Sequence, residues 1–370
     1  MYGVYVHIPW CRIRCPYCAF NVDARRDIPH AAYTAALLRH WGRESGHFPG
    51  APETVYFGGG TPSIANPDDI ATVIRALAPA GEVTLEANPG GVDRERLAAF
   101  RDAGVTRLSL GVQSFTPHVA ARLGRGHGVR ENHAIVEDAA GAGFAAFSFD
   151  LIFGVPSQTL QDFEQDLDIA LSLSPPHVSL YGLTIEEGTP FHRAAIPTAD
   201  DDLWRDMYDL AVERLAAAGL DRYEVSNFAR AGARSTHNEH YWRARHWAGI
   251  GAGAHGWRPD GARTAARANP DEYVASDDPV EYAKRPDSHK LASELAWSTL
   301  RHVDGLENAQ LLRWTNRRVA APRKLIDAGL VTDDGSVIRL TNMGFPLADA
   351  ISEQLLQAMV IQAGPHSCGA

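Results

Sequence analysis

The sequence predicts an α/β protein in which a partial (β/α)6 barrel precedes a small, mostly helical domain of winged-helix-like type. Short runs of β-branched and aromatic residues alternate six times with segments whose apolar residues recur every three or four positions. The middle runs are apolar without polar alternation, which is typical of parallel strands covered on both faces. The pattern changes after about residue 221, and this change predicts the second domain.

The six β/α units can be assigned in order along the chain. The candidate strands are residues 2–8, 54–57, 82–87, 107–110, 146–152 and 177–183. The candidate helices are residues 30–47, 68–77, 94–103, 129–141, 159–173 and 201–218. Gly104 and Gly219 follow two of these helices and Ser157 precedes another, as expected for residues that end or begin helices. The barrel domain is therefore predicted to comprise residues 1–221.

The remainder of the chain is predicted to have three parts. Residues 222–287 are rich in Gly, Arg, His and aromatic residues and form a connecting region. Residues 288–360 form the winged-helix-like domain. Its predicted elements are helices at 291–300, 307–314 and 319–328, a strand at 337–340 and a last helix to about residue 359. Residues 361–370 are predicted to be a disordered tail.

The charge pattern argues against a nucleic-acid partner. The chain has 35 Lys+Arg and 45 Asp+Glu, which gives a formal net charge of −10. Residues 288–359 carry eight basic and eight acidic residues, so the small domain lacks the positive surface of a DNA-binding protein. We therefore expect no nucleic-acid partner.

Three properties of the chain indicate a cytoplasmic protein. No apolar run approaches the roughly 18 residues that span a bilayer. The first ten residues, MYGVYVHIPW, contain neither a basic region nor a signal-cleavage site. Three of the four cysteines fall within residues 11–18 and the fourth is Cys368, so they do not form a disulfide framework. The sequence leaves both a peripheral membrane association and a homodimer open.

The cysteine cluster is the most specific chemical feature of the sequence. Cys11, Cys15 and Cys18 have the spacing Cys-x3-Cys-x2-Cys in the loop after the first predicted strand. Three thiolates so spaced can bind three irons of a [4Fe–4S] cluster and leave the fourth iron open to a small chelating ligand. Two alternatives stay open at this point. One is a zinc site completed by His7, which lacks a second distant ligand pair, and the other is chance clustering of buried cysteines.

Glycines and polar residues recur where the predicted strands end. In β/α barrels the chemistry collects at the carboxyl ends of the strands. Gly58, Gly59 and Gly60 follow the second strand, and the absence of a Cβ lets a ligand approach the backbone closely. The later strand ends carry Glu86, then Gln113 followed by Arg125, then Asp150, and finally Thr184. Their recurrence at equivalent positions predicts one shared ligand site.

These motifs resemble the radical S-adenosylmethionine (SAM) superfamily, whose signature is Cys-x3-Cys-x2-Cys with an aromatic residue, here Tyr17, before the last cysteine. The segments HIPWCRIRCPYC, YFGGGTP, LSLGVQSF and DLIFGVP look like the oxygen-independent coproporphyrinogen III oxidase group, which includes heme chaperones. The resemblance spans about residues 2–260 and continues more faintly to about 355.

The resemblance implies a TIM-like radical SAM barrel with a [4Fe–4S] cluster on Cys11, Cys15 and Cys18. It also implies that SAM binds at the strand ends. The SAM site inferred from the matching motifs comprises Tyr5, Tyr17, Phe20, Gly58, Gly59, Gly60, Thr61, Glu86, Gln113, Arg125, Asp150 and Thr184.

One residue separates the chain from the oxidases of this group. The oxidases carry a further cysteine two residues after the third, and Phe20 stands at that position here, as in the heme chaperones. The first predicted strand begins at residue 2, whereas the oxidases have an N-terminal arm before it. Both differences favour the heme chaperones.

A histidine-rich segment predicts a second site. The run from His237 to Trp242 resembles the HNxxYW motif of heme chaperones, and GIGAGAHG at residues 249–256 continues the likeness. An imidazole can bind heme iron, and Tyr241 and Trp242 can offer apolar surface to a porphyrin. We predict His237 as the heme ligand, with a helix start and packed aromatic residues as the alternative. His246 is assigned a structural role.

The favoured function is that of a cytoplasmic heme chaperone that binds a [4Fe–4S] cluster, SAM and heme and delivers heme to respiratory heme proteins. An electron donor for the cluster is expected as a further partner. The alternative is a radical SAM enzyme that uses a 5′-deoxyadenosyl radical. Such an enzyme would be a methylase or cyclopropanase of secondary metabolism, or a coproporphyrinogen III dehydrogenase, which Phe20 disfavours.

Overall fold

The computed structural model describes residues 1–361, and its centre is a sheet of six parallel strands in sequential order. The strands are β1 (Gly3–Ile8), β2 (Thr54–Gly59), β3 (Val83–Ala87), β4 (Arg107–Gln113), β5 (Ala146–Phe153) and β6 (His177–Gly182). Each pairs in parallel with the next, for example with Tyr5 opposite Tyr56. Nearly all their residues are buried, which explains why the sequence shows no alternation.

Helices connect the parallel strands and confirm the predicted α/β fold. They are α1 (His30–Glu44), α2 (Pro67–Leu77), α3 (Arg94–Asp102), α4 (Pro117–Arg122), α5 (Val129–Gly141), α6 (Leu160–Ser172), α7 (Pro190–Arg193) and α8 (Asp201–Ala217). The short helices α4 and α7 lie in strand-to-helix loops and were not predicted. Side-chain caps begin several helices, and the Thr159 hydroxyl and the Asp162 carboxylate form a reciprocal capping box at α6.

Residues 221–284 extend the central sheet at both edges. The added elements are β7 (Asp221–Arg222), β8 (Asn227–Ala229), α9 (Thr236–Trp242), β9 (Trp247–Ile250), β10 (His255–Trp257), β11 (Arg263–Ala266), α10 (Pro270–Ala275) and β12 (Val280–Lys284). Strand β9 runs parallel to β1, and β8 runs antiparallel to β6. The predicted connecting region therefore contributes short strands to the central sheet.

The described chain divides into two compact units. The first comprises Met1–Arg222, Ser226–His237 and His246–Ala283, and it contains the parallel sheet. The second comprises Tyr223–Val225, Asn238–Arg245 and the described residues from Lys284 onward. The predicted tail lies outside the described residues, apart from residue 361, and so does Cys368.

The second unit has the mostly helical, winged-helix-like composition that the sequence predicts. Its elements are α11 (Ser288–Thr299), β13 (Leu306–Glu307), α12 (Asn308–Thr315), β14 (Arg317–Arg318), α13 (Arg323–Asp327), β15 (Val331–Asp333), β16 (Val337–Leu340), α14 (Ala348–Gln357) and β17 (Val360–Ile361). Strands β13, β16 and β15 form a three-stranded sheet.

The start of one helix in the second unit differs from the sequence prediction. The helix predicted at 319–328 begins only at Arg323, because Pro322 has no N–H group and fits only at a helix start. Before it, the Val319 N–H donates to the Asn308 side chain at 2.9 Å instead of to a helical carbonyl.

Within residues 1–361 we find no helix that is both long enough and apolar enough to cross a membrane.

Candidate cluster and SAM site

The three clustered cysteines lie in a loop that follows β1 and closes back on it. The Cys11 N–H donates to the Asp23 carbonyl at 3.0 Å, and the Asp23 N–H donates to the Pro9 carbonyl at 2.8 Å. Cys11 is buried, whereas Cys15 and Cys18 are half-buried and joined by a turn in which the Cys18 N–H donates to the Cys15 carbonyl at 3.1 Å. The loop therefore presents three thiols from a fixed base at the end of β1.

The chemistry of these thiols fits an iron–sulfur cluster. Burial raises the pKa of Cys11 to about 11, and the neighbouring Cys18 and Cys15 add to this rise against the effect of a hydrogen bond from Thr61. Binding of iron would displace these protons, because the thiolate is the ligand. In the described part of the chain, no three His, Cys, Asp or Glu side chains lie close enough together to bind one metal ion. A [4Fe–4S] cluster does not require convergence, because each thiolate binds a different iron.

The glycine loop after β2 lies directly against the cysteine loop. The Gly60 N–H donates to the Ile8 carbonyl and the Thr61 N–H to the Trp10 carbonyl, both at 2.8 Å. A Cβ on Gly60 would lie 2.6 Å from the Trp10 carbonyl oxygen, so no side chain fits there. Gly59 has a φ of +118°, and a Cβ there would lie 2.5 Å from the His7 ring. The glycines are needed for this close approach of two loops.

Two half-buried carboxylates occupy the floor of the same site. Glu86, near the end of β3, accepts hydrogen bonds from the Tyr56 hydroxyl at 2.9 Å and from the Gly59 N–H at 3.1 Å. Asp150, on β5, accepts from the Ser109 hydroxyl at 3.1 Å to each oxygen. Burial, reinforced by the charge of Asp150, raises the pKa of Glu86 to about 7. Burial raises the pKa of Asp150 to about 6. Both carboxylates therefore favour a cationic or hydroxyl-bearing ligand.

A chain of side-chain hydrogen bonds connects Arg125 to the first cysteine. The Arg125 guanidinium donates to the Tyr17 hydroxyl at 3.0 Å and to the Asn88 side-chain oxygen. The Asn88 amide donates to the Thr61 hydroxyl at 2.9 Å, and that hydroxyl donates to the Cys11 Sγ at 3.6 Å. The chain fixes the orientation of residues from four different loops.

Gln113 is brought into the site by a local irregularity in β4. The pairing of β4 with β5 shifts register between Leu110 and Gln113, and Gln113 has a φ of +69°. A Cβ on Gly111 would lie 2.4 Å from the Asn88 side-chain oxygen. The strand therefore bends around Asn88 and turns the Gln113 side chain toward the ligand site.

A cavity of about 500 Å³ joins these groups. All of the predicted cluster and SAM residues except Tyr5 and Gly58 line it, including Thr184 after β6 and Phe20, whose side chain is 69% exposed. Tyr56, Asn88 and Ser109 also line the cavity and were not assigned from the sequence. Asn88 could have been found, because it lies two residues after Glu86 and extended residues two apart face the same side.

Tyr5 and Gly58 lie beneath the cavity. The Asn21 carbonyl can only accept, so His7 donates to it through Nε2 at 2.8 Å, and the Tyr5 hydroxyl donates to His7 Nδ1 at 3.0 Å. Burial lowers the pKa of His7, which agrees with this neutral ring. A Cβ on Gly58 would lie 2.9 Å from the rings of Tyr5 and Tyr56. Both predicted residues therefore support the layer below the ligand.

His237 lies apart from the cavity, and its side chain is fully buried. Its Nδ1 is 2.7 Å from the Thr54 hydroxyl, and its ring stacks on Tyr56 at 5.1 Å between ring centroids. Iron could reach this ring only after the ring left Thr54 and Tyr56. The assignment of His237 as heme ligand stays a prediction. His246, which was assigned a structural role, packs edge-on against Trp257 at 4.8 Å.

The chain is similar in sequence to known proteins. The chain matches the radical SAM superfamily over residues 5–170. It is 40% identical over 302 residues to the heme chaperone HemW of Escherichia coli (strain K12), which covers 77% of this chain and 80% of that protein. It is 35% identical over 378 residues to the heme chaperone HemW of Mycobacterium tuberculosis (strain CDC 1551 / Oshkosh), which covers 96% of this chain and 95% of that protein.

A solved structure confirms the fold. Coproporphyrinogen III oxidase (HemN) from Escherichia coli, a radical SAM enzyme, superposes with a TM-score of 0.80 over 96% of this chain and 89% of that one. The two sequences are 20% identical, so this likeness concerns the fold alone. On the sequence relationships, this chain belongs to the radical SAM superfamily and, within it, to the family of the heme chaperone HemW.

Proposed function

We propose that this protein is a cytoplasmic heme chaperone that holds a [4Fe–4S] cluster and SAM in the barrel cavity and delivers heme to respiratory heme proteins. The observation that carries the proposal is the relationship to proteins described as heme chaperones, one of which aligns over 96% of this chain. Phe20 supports the same function, because an oxidase of this group would have a cysteine in its place.

The cavity supplies groups suited to both cofactors. Cys11, Cys15 and Cys18 would each bind one iron, and the open fourth iron would bind the amino and carboxylate groups of SAM. The cluster, once bound and reduced, supplies an electron to SAM. Glu86 and Asp150 lie where they can accept hydrogen bonds from ribose hydroxyls or the SAM amino group, and Gln113 offers an amide. These assignments carry over from the family motifs and from the shared cavity.

The heme ligand needs a separate test because His237 is buried. Binding of iron by His237 would require the ring to separate from Thr54 and Tyr56. If the His237 ring moves to bind heme iron, the His237→Ala variant should lose the spectrum of low-spin heme. If heme binds elsewhere, His237→Ala should keep this spectrum and only lower the stability of the fold.

The first experiment measures heme binding by the cluster-loaded protein. The cluster is reconstituted without oxygen, hemin is added, and the visible spectrum is recorded for the wild type and for Cys15→Ala, His237→Ala and His246→Ala. We expect one hemin per chain with a Soret band in the wild type and loss of the cluster in Cys15→Ala. We expect a shifted or absent Soret band in His237→Ala, and an unchanged one in His246→Ala, the matched control. Absence of stoichiometric hemin binding in the wild type would contradict the proposal.

A radical SAM enzyme is the second candidate function. The cavity supports this function, because every predicted SAM contact except Tyr5 and Gly58 lines one space beside the cysteines. Such an enzyme, a methylase or cyclopropanase, would release 5′-deoxyadenosine or S-adenosylhomocysteine in proportion to a small-molecule product. Chromatographic measurement of both nucleosides after reduction of the cluster distinguishes the two functions, since a chaperone requires no stoichiometric product.

A further inference from the structure

Three neutral side chains hold Arg125 in the cavity. The Arg125 Nε–H donates to His127 Nε2 at 3.0 Å. Its two terminal nitrogens donate to the Tyr17 hydroxyl at 3.0 Å and to the Asn88 side-chain oxygen. These acceptors come from the loops after β1 and β3 and from the loop between α4 and α5. The orientation of the planar guanidinium is therefore set at all three of its nitrogens.

The hydrogen bond from Arg125 fixes the chemical form of the His127 imidazole. The Nε–H group of arginine can only donate, so His127 Nε2 accepts with its lone pair and the ring proton lies on Nδ1. A protonated imidazole has no lone pair to offer. Burial and the charge of Arg125 lower the pKa of His127 to about 4, in agreement with a neutral ring.

The backbone that carries His127 is itself well supported. The next residue, Gly128, begins α5, and its N–H donates to the Glu131 carboxylate at 3.1 Å. The loop after β3 lies on another side, where a Cβ on Gly90 would be 3.4 Å from the His127 Cβ. The imidazole therefore projects from a fixed base and can direct the arginine two residues before it.

None of the three acceptors is a carboxylate, so no ion pair neutralises the charge of Arg125. Within residues 1–361, Glu86 and Asp150 share the cavity with Arg125 but make no salt bridge to it. The charge acts at longer range, where it favours the ionised forms of Cys11 and Cys18. Taking a charge partly out of water without an ion pair costs free energy, and an anionic ligand would offset that cost.

We propose that His127 is a positioning residue that holds Arg125 through a neutral acceptor and so keeps its positive charge available to anionic groups in the cavity. The inference rests on the proposed function, because those groups are the thiolate-bound cluster and the carboxylate of SAM. A carboxylate in place of His127 would hold the guanidinium at least as firmly, but it would cancel the charge. The neutral imidazole supplies the geometry and leaves the charge in place.

The test separates the hydrogen bond of His127 from its neutrality. His127→Gln keeps a neutral acceptor, His127→Phe keeps a ring without an acceptor, and His127→Glu supplies an acceptor with a negative charge. The matched control is His47→Glu, which adds the same carboxylate at an exposed residue just after α1. For each cluster-loaded protein, the midpoint potential is measured without SAM by redox titration and electron paramagnetic resonance. SAM affinity is measured by isothermal titration, and iron content by analysis.

We expect His127→Glu to bind a full cluster, to have a more negative midpoint potential and to bind SAM about tenfold more weakly, because the charge of Arg125 is cancelled. His127→Phe should also weaken SAM binding, because Arg125 is no longer directed into the cavity. His127→Gln should restore wild-type values of both quantities, and His47→Glu should leave both unchanged.

Two results would overturn the inference. If His127→Glu matched His127→Gln in potential and SAM affinity, the neutrality of the acceptor would have no role. If His127→Gln lost as much iron or SAM affinity as His127→Phe, the imidazole would support the fold of the loop instead of directing Arg125. A wild type that binds neither cluster nor SAM would instead contradict the proposed function.

Discussion

At the scale of single residues, Glu86 and Asp150 are the most unusual groups in the cavity. Both acids have a pKa raised by burial, to about 7 and about 6. Between the ordinary and the raised pKa values, the folded chain binds more protons than the unfolded chain. The stability of the cofactor-free protein should therefore fall as the pH rises from about 4 to about 7. A cationic ligand in the cavity would stabilise the ionised carboxylates and so offset this loss of stability.

Replacing Glu86 tests whether stability falls with rising pH as predicted. In the cofactor-free protein, Glu86→Gln should be more stable relative to wild type at pH 8 than at pH 5, by on the order of 2 kcal/mol, because the penalty of ionising Glu86 is removed. Denaturant unfolding at the two pH values measures the difference. An offset between variant and wild type that is the same at both pH values would show that Glu86 is not proton-linked.

The hydrogen bond from Thr61 to Cys11 predicts an effect on the cluster. The hydroxyl donates to a sulfur that would bind iron, and such hydrogen bonds raise the reduction potential of iron–sulfur clusters. Thr61→Val keeps the shape and removes the donor, so the midpoint potential should become more negative. Thr61→Ser keeps the donor and should restore the wild-type value. A redox titration in the absence of SAM, followed by electron paramagnetic resonance, measures both. Equal potentials in Val and Ser variants would contradict the assignment.

At this scale, the structure brings the residues predicted at the strand ends to one cavity and places Tyr5 and Gly58 below it. Cys11, Glu86 and Asp150 were placed in one cavity because parallel strands end at the same edge. Tyr5 precedes the end of β1 by three residues, which is roughly 10 Å at the rise of an extended chain, so its side chain lies one layer deeper. The depth of a residue depends on where each strand stops, and the sequence gives strand ends only to within a few residues.

At the scale of elements, the contact between the glycine loop and the cysteine loop holds the site together. Gly60→Ala should reduce cluster content and SAM affinity, because its Cβ would meet the Trp10 and Pro9 carbonyl oxygens at 2.6 and 2.7 Å, and the backbone must shift. Iron and sulfide analysis and isothermal titration with SAM measure the two losses.

The matched control for this prediction is Gly42→Ala in α1, where a Cβ would meet nothing within 4 Å. This variant should keep full cluster content and gain about 0.5–1 kcal/mol in stability, because glycine is unfavourable inside a helix. If Gly60→Ala bound as much iron and SAM as Gly42→Ala, close approach of the two loops would not be required for the site.

Elements built from neighbouring residues were predicted well, and elements that depend on distant pairing were not. The helices and strands of the six β/α units follow from local periodicity. Strands β9 to β11 have only three or four residues each, and β9 is positioned by pairing with β1, where Trp247 lies opposite Gly3. Nothing in the sequence near residue 247 records that partner, so residues 222–287 showed only an enrichment in Gly, Arg, His and aromatic residues.

At the scale of the whole molecule, the account depends on three bound groups that differ in how firmly the chain supports them. The cluster and SAM have a cavity with named ligands, whereas heme has a motif whose His237 is fully buried. Fold and cavity could be predicted from the sequence because they repeat with each β/α unit. The heme ligand His237 stays a prediction, because ligation depends on whether its buried ring leaves its packing.

The central claim is tested most directly by measuring heme transfer. The cluster-loaded protein carrying one hemin is mixed without oxygen with the heme-free form of a respiratory cytochrome, and the acceptor spectrum is followed. The account predicts that the cytochrome gains heme as the chaperone loses it, faster than from free hemin at the same concentration, without stoichiometric 5′-deoxyadenosine. Failure to bind hemin, or retention of hemin while 5′-deoxyadenosine accumulates with a small-molecule product, would contradict it.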